Sequence, residues 1–475
     1  MGSAAVPTNE DREKKKEWWR KVLDLEEAKA QVFFSVPMII TSVSYYSITL
    51  ISVMFSGHLG QVELAGSTLG NSWATVTGFA LMTGLSGALE TLCGQGYGAK
   101  LYRMLGIYLQ SSIITSFVFS VFVSILWVYS EPILLLLHQE PEVAKMAALY
   151  MKYLIPGLFA YGFLQCILRF LQTQTVIIPL VLCSVIPFVV HIGFTYAFVY
   201  HTGLGFKGAA LSASVSLWIS LFMLAAYVKY SEKFKYTWEG LSMESFRHVI
   251  PNMKLAIPSA VMVCLEYWAF ELLVLLAGLM PNSKNSTSLI DRNMVVNTEA
   301  VIYMITYGFS AAVSTRVSNE VGAGHGDKAK NAVAVTLKIS VFLGLTVILS
   351  LVFGHNIWAS FFSDSPEIIK AFASMTPLLA ISILFDSAQG VLSGVARGCG
   401  WQHLAAWTNL GAFYVIGMPI AIVLAFKLQL HAQGLWIGLI CGLFCQACIL
   451  LLITLRTKWN TLKLSVNDKE NLLPV

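Results

Sequence analysis

The sequence predicts an all-α polytopic membrane protein of twelve transmembrane helices, arranged as two six-helix lobes related by a parallel pseudo-two-fold repeat. Three observations carry that reading. Of 475 residues, 56% are hydrophobic and only 12% charged, against about 45–50% and roughly 25% in soluble domains. A ruler of about 20 mainly apolar residues can be laid along the chain twelve times. Marks in the first half then recur, in order, in the second.

Composition removes several classes at once. The chain is too apolar for a soluble domain and too long for a cysteine-stapled scaffold, and its 35 Gly and 14 Pro show no short period. A net charge of +5 says little in such a chain, because the placement of the positive residues sets topology. The spans fall at roughly 33–54, 64–89, 105–127, 147–166, 177–199, 208–228, 253–279, 293–314, 332–353, 371–393, 404–426 and 433–455. They divide the chain into an N-terminal tail (1–31), a first lobe (32–230), a linker (231–249), a second lobe (250–456) and a C-terminal tail (457–475).

The first apolar run, near Gln31, lacks a small-residue cleavage site and reads as a retained span. With the tail inside, 22 of the 31 Lys and Arg lie on the inner side, six in outer loops and three within spans. Both termini and the linker are therefore expected to be cytosolic. Asn285-Ser286-Thr287 is a glycosylation sequon in an outer loop, or a chance match. The eight cysteines avoid the outer loops. Cys441, Cys445 and Cys448 share a helical face without a His or carboxylate, so they read as small hydrophobes and not as a metal site.

The repeat is the most informative feature. Ser35-Val36-Pro37-Met38 resembles Ala256-Ile257-Pro258-Ser259, 221 residues on. Gly94-Gln-Gly-Tyr-Gly-Ala-Lys100 matches Gly322-Ala-Gly-His-Gly-Asp-Lys328 at offset 228, and Pro141-Glu-Val-Ala-Lys145 matches Pro366-Glu-Ile-Ile-Lys370 at 225. Six spans per half is even, so both halves enter from the same side and their axis runs along the membrane normal, an arrangement that encloses a central cavity. Pro37 and Pro258 each remove a backbone donor and are candidate kinks that open or close that cavity; a passive bend is the other reading. The glycine loops lack the Walker pattern and a preceding strand, and read as repeated cytosolic turns. No HExxH or GxSxG is present, so no enzyme is expected.

Charge inside a span is the chemical signal. An ionised carboxylate at mid-span costs about 2.5–3.5 kcal/mol on insertion scales. Glu266 lies in the middle of span seven and Asp386 deep in span ten, with Glu271 five residues past Glu266 and Glu299 near the start of span eight, where it reads as shallower. The repeat pairs Glu266 with Tyr45 and Asp386 with Tyr161, so the second half carries carboxylates where the first carries phenols. Burial favours the protonated form of a carboxyl group, which makes such groups candidate proton carriers. If a cationic substrate needs the ionised form, proton and substrate compete, and the result is exchange without ATP. The structural alternative is a carboxyl hydrogen-bonded to a neighbouring helix. Gln165 and Gln389 lie about one turn from Tyr161 and Asp386, so Tyr45, Tyr161, Gln165 and Gln389 are candidate cavity residues or ordinary packing.

An ordered set of motifs now points to a family. Ser56-Gly-His-Leu-Gly60, Gly78-Phe79 through Leu92-Cys-Gly-Gln-Gly-Tyr-Gly98, Cys264-Leu-Glu-Tyr-Trp-Ala-Phe-Glu271, Ser314-Thr-Arg-Val-Ser-Asn-Glu-Val-Gly-Ala-Gly324 and Val391-Leu-Ser-Gly-Val-Ala-Arg-Gly-Cys-Gly400 together resemble the multidrug and toxic compound extrusion (MATE) family, in its plant detoxification-type branch. The resemblance covers about residues 25–460. It implies a proton-coupled antiporter that exports organic, often cationic, metabolites or xenobiotics by rocking two lobes about a cavity. It also implies that acidic residues of the C-terminal lobe couple the proton, carried here by Glu266 and Asp386 with Glu271 as a third candidate.

Where animal relatives have a glutamate in span eight, an approximate alignment places Asn297. An acidic site in the first helix of some prokaryotic relatives has no counterpart, since span one has no carboxylate between Phe33 and Met54. The expected partners are a small organic substrate and the lipid bilayer, with no nucleic acid; the expected state is a monomer, in the plasma or vacuolar membrane, with the proton as coupling ion and no metal or other cofactor. The alternatives are an organic-anion exporter and a lipid-linked precursor flippase, which would favour a cationic cavity, whereas the buried charges singled out here are acidic.

Overall fold

The computed structural model describes residues 24–278, 286–360 and 366–462. Asn285 and the side chain of Asn297 lie outside the described residues. Twelve long helical rods account for nearly all of them: α1 (Leu25–Gly57), α2 (Gln61–Gly98), α3 (Tyr102–Val128), α4 (Pro141–Thr173), α5 (Ile178–Tyr200), α6 (Phe206–Tyr230), α7 (Ser245–Gly278), α8 (Ser286–Gly322), α9 (Gly326–Ser360), α10 (Pro366–Cys399), α11 (Gln402–Lys427) and α12 (His431–Arg456). Eleven are long and apolar enough to cross a bilayer among the described residues. The other, α8, is a 37-residue helix. The chain is an integral membrane protein with two lobes.

Local chemistry marks where α1 begins and where the helical ladders are interrupted. Asp24 caps α1, its carboxylate accepting from the Glu26 and Glu27 backbone N–H groups at 3.2 Å. Pro37 lies inside α1, and Pro251 and Pro258 lie inside α7. In α2 the ladder slips to π geometry over Thr75–Phe79, and α11 does so over Leu410–Gly417 and Val423–Lys427. Isolated π turns are common at functional sites.

The lobes are built on one plan. In the first, the Trp127 indole on α3 donates to Thr77 on α2 at 2.9 Å. In the second, Trp358 on α9 donates to Thr298 on α8 at the same 2.9 Å. Pro156 lies inside α4 and Pro377 inside α10, the fourth rod of each lobe. Most of the buried apolar side chains belong to cores within each lobe.

The first and last described residues lie at one end of the bundle. Asn331, just inside α9, donates to Asp24 at 3.0 Å, and Gly326 packs against Trp459 beyond α12. At this tail end the lobes meet backbone to backbone. A Cβ on Gly98 would strike the carbonyl of Asn319, and one on Gly322 would strike the backbone of Gln95, so only glycine allows α2 and α8 to approach this closely. Gln95 donates to the Gly398 carbonyl at 3.2 Å and Gln402 to Thr91 at 2.7 Å, tying α2 to α10 and α11.

Several rods run past the limits the 20-residue ruler assigns. Spans two, four and ten end near 89, 166 and 393 by sequence, whereas the helices continue to Gly98, Thr173 and Cys399. Glu90, Arg169 and Arg397 therefore lie inside buried helix, and the two arginines do not belong to inner loops as the charge count assumes. Apolar windows register where charge stops, and a helix shielded by its neighbours can carry charge further.

Candidate functional site: a cavity between the lobes

A cavity of about 360 Å3 lies between the lobes, within the range of small-molecule sites. Its first-lobe wall includes Tyr45, Phe79, Tyr161 and Gln165. The second lobe contributes Glu266, Tyr267, Glu299, Tyr303, Asp386 and Gln389. The four positions paired by the sequence repeat thus face one space. Tyr45 hydrogen-bonds Ser220 at 2.8 Å and Tyr161 hydrogen-bonds Thr83 at 3.0 Å. Each phenol is held by its own lobe, which presents its ring to the cavity. The Phe79 ring, from the π turn of α2, meets Tyr161 edge-on at 4.8 Å.

Gln389 organises the acidic wall. Its amide nitrogen donates to Glu266 at 3.0 Å and to Asp386 at 2.9 Å, while its carbonyl accepts from the Ser393 hydroxyl at 3.1 Å. One amide therefore bridges carboxyl groups from α7 and α10. Asp386 leaves Oδ2, and Glu299 leaves Oε1, without a hydrogen-bond partner among the described residues. The position of Glu299 corrects the sequence reading. It is 4% exposed, accepts from Ser382 on α10 at 3.0 Å and lines the cavity. α8 begins seven residues before the assigned span, so Glu299 lies more than three turns inside the helix, on the same cavity wall as Asp386.

Glu271 is not brought to this wall. It accepts from Ser72 on α2, and one turn earlier Trp268 donates to the Val76 carbonyl at 3.0 Å. Five residues turn a helix by about 140°, so Glu271 faces the seam between lobes and is not among the cavity residues. Its place is that of an interlobe contact.

The structure adds a second cluster. Glu90 on α2 is 0% exposed and meets two guanidinium groups: Arg169 of its own lobe, Nη1 to Oε1 at 3.0 Å, and Arg397 of the other lobe, Nε to Oε2 at 3.0 Å. The first is a close ion pair whose N–H is not aligned for a hydrogen bond; the second is aligned. Ser314 also donates to Glu90, and Arg397 donates to Ser310 at 2.7 Å. Arg169 donates to Gln172 at 2.8 Å and to Tyr307.

Glu90, Arg169 and Arg397 all border the cavity, so its interior is not only acidic as the sequence reading expects. A signal for them exists in the sequence: Arg169 and Arg397 are 228 residues apart, the offset that relates Gly94 to Gly322. Beyond this cluster lies a wider tail-end pocket of about 930 Å3, bordered by Gln31, Tyr97 and Arg316.

Comparison with known proteins agrees with this architecture. The MatE family model matches residues 37–197 and 258–423, two stretches that begin at the paired prolines. Protein DETOXIFICATION 18 of Arabidopsis thaliana is 59% identical over 465 residues, covering 96% of this chain and 99% of the relative, and Protein DETOXIFICATION 17 is 46% identical over 435 residues, covering 92% and 91%. The crystal structure of the eukaryotic MATE transporter AtDTX14 superimposes with a TM-score of 0.88 at 39% identity, covering 92% of this chain and 97% of that one. A transporter of the MOP superfamily from Pyrococcus furiosus, at 19% identity, shares the fold with a TM-score of 0.79 over 90% of this chain and 95% of that one.

Proposed function

The chain belongs to the MATE family of transporters, and on that premise we propose that it is a proton-coupled antiporter exporting organic compounds, with Glu266 and Asp386 as the coupling groups. The observation that carries this reading is the Gln389 bridge. It holds two carboxyl groups side by side in the wall of the cavity that both lobes share. Two negative charges in apolar surroundings repel and are poorly solvated. A proton relieves both costs, and so does an organic cation lying against the wall. Because each ligand satisfies the same oxygens, the two exclude one another. Glu299, one helix away, extends the acceptor surface.

Exchange also needs the cavity to face one side at a time. The glycine seam and the Glu90–Arg397 pair close the tail end. Pro37 and Pro258 lie in the two helices that lead from that end into the cavity. Rocking the lobes about this seam exposes the acidic wall first to one side and then to the other. The tail end is the cytosolic one in this reading, from the excess of Lys and Arg there. Exchange of one proton for one monovalent cation moves no net charge, so the pH difference alone drives it, about 1.4 kcal/mol or tenfold per unit. Substrate then accumulates in the acidic compartment.

The test uses the full chain in proteoliposomes with an imposed pH difference and a panel of fluorescent organic cations. Accumulation on the acidic side, abolished by a proton ionophore, is expected. Equal distribution of every cation at every gradient would refute the coupling.

A further inference from the structure

The acidic wall does not use the cluster at the other end of the cavity, and that cluster is unbalanced. One carboxylate, Glu90, faces two guanidinium groups, so the cluster carries a surplus positive charge with almost no contact with solvent: Arg169 is 2% exposed and Arg397 7%. Arg169 Nε has no hydrogen-bond acceptor among the described residues. Arg397 commits Nε to Glu90 and Nη2 to Ser310, which leaves Nη1. Both arginines border the cavity. A buried cation short of acceptors is costly. An incoming anionic group supplies both the charge and the acceptors it lacks.

The geometry of α10 links this cluster to the acidic wall. Gln389, Ser393 and Arg397 follow at intervals of four and share one helical face, and Ser393 already donates to Gln389. Along that face the helix runs from an acidic end to a basic end over roughly 12 Å, eight residues at about 1.5 Å each. A plain monocation satisfies only the first end. We infer that Arg169 and Arg397 form an anion-binding subsite of the cavity, and that the preferred cargo is amphoteric: an aromatic or aliphatic body with a cationic group against Glu266 and Asp386 and a carboxylate, or a like anion, on the two guanidinium groups. The inference rests on the cavity being the cargo site, as proposed above. Glu90 is then an internal competitor that occupies the arginines when cargo is absent.

Equilibrium binding tests this without any gradient, so its outcome is separate from that of proton coupling. The full chain in nanodiscs is titrated calorimetrically with N-(4-carboxybenzyl)pyridinium, a zwitterion, with its methyl ester, a plain cation of the same body, and with inorganic pyrophosphate. The zwitterion is expected to bind about tenfold more tightly than the ester, the scale of one charge-assisted hydrogen bond. Arg397→Gln and Arg169→Gln should reduce the zwitterion to the affinity of the ester, and Arg397→Lys should restore part of the difference.

Glu90→Gln is the sharpest arm: removing the competitor should tighten the zwitterion about threefold or more and leave the ester unchanged, whereas a purely structural role predicts no gain for either. Ester binding equal to or tighter than zwitterion binding in the unmodified chain would overturn the proposal, as would a zwitterion preference that survives both arginine substitutions. Pyrophosphate bound more tightly than the zwitterion would overturn the amphoteric assignment in favour of a bare phosphate ligand. If Glu90→Gln does not fold, the contrast between Arg397→Gln and Arg397→Lys decides alone.

Discussion

The two lobes are close copies as scaffold and unlike as chemistry. Both hold a tryptophan to a threonine on the neighbouring helix at 2.9 Å, and both carry an internal proline in the fourth rod. At the cavity the copies part. The first lobe presents Tyr45 and Tyr161, each hydrogen-bonded within its own lobe; the second presents Glu266 and Asp386 joined by Gln389. The matched contacts are scaffold contacts, made within each lobe. Under the proposed coupling a titrating group is needed only once per cycle, so the first lobe can face the acidic pair with phenols. The arginines obey a different rule again. Repeat partners by offset, they meet on one glutamate from the first lobe, so the cluster ties together the halves that the cavity separates.

The largest expected effect breaks the asymmetry itself. Glu266→Gln and Asp386→Asn keep the shape and most hydrogen-bonding capacity of each site but cannot exchange a proton. Gradient-driven accumulation in proteoliposomes should fall from about tenfold per pH unit to none. Gradient-driven uptake at the unmodified level in both variants would place coupling elsewhere in the chain.

A smaller loss is expected from Gln389→Leu. Two carboxyl oxygens lose their shared donor, and each lost bond to a charged group is worth about 1.5–3 kcal/mol. The variant should retain a gradient response but reach half-maximal uptake at roughly tenfold or more higher substrate concentration, with thermal stability reduced. An unchanged concentration dependence would show that the bridge is incidental to substrate binding.

These sites were unequally legible in the sequence, for physical reasons. Glu266 and Asp386 stand out because each interrupts a long apolar run, where a charge is too costly to be casual. Glu90, Arg169 and Arg397 do not, because each sits where an apolar window ends, and a charge there is indistinguishable from an ordinary loop residue until the helix is seen to continue. Glu299 reads as a residue near a span's edge because α8 starts earlier than its apolar stretch. The repeat and the proline pair were readable because they are patterns of residue identity. The π turns of α2 and α11 were not, since they are a shift of backbone hydrogen-bond register that none of the sequence motifs marks. Glu271 illustrates the converse: its charge was visible, but whether it turns toward the cavity or the seam depends on the rotation of α7.

On the first-lobe wall, Tyr45→Phe and Tyr161→Phe remove a hydroxyl and keep the ring. Coupling should persist at full stoichiometry, with substrate affinity reduced by about two- to tenfold, the scale of one neutral hydrogen bond of about 0.5–1.5 kcal/mol. Reduced accumulation per pH unit in either variant would show that the first lobe takes part in coupling and that the contrast between lobes is not a division of labour.

The smallest effect on transport is expected where the lobes agree. Trp127→Phe and Trp358→Phe each delete one indole donor to a threonine and leave a modest void, about 1–2 kcal/mol of stability apiece. Trp127 lies toward the upper end because it is wholly buried, whereas Trp358 is only half-buried. Thermal unfolding in detergent should register both losses, while accumulation per pH unit stays at the unmodified level. Matched structural cost with no effect on coupling, set against Glu266→Gln with the opposite profile, would separate what the repeat preserves from what one lobe alone performs. A loss of coupling in one tryptophan variant and not the other would instead mean that the shared scaffold is itself asymmetric in the transport cycle.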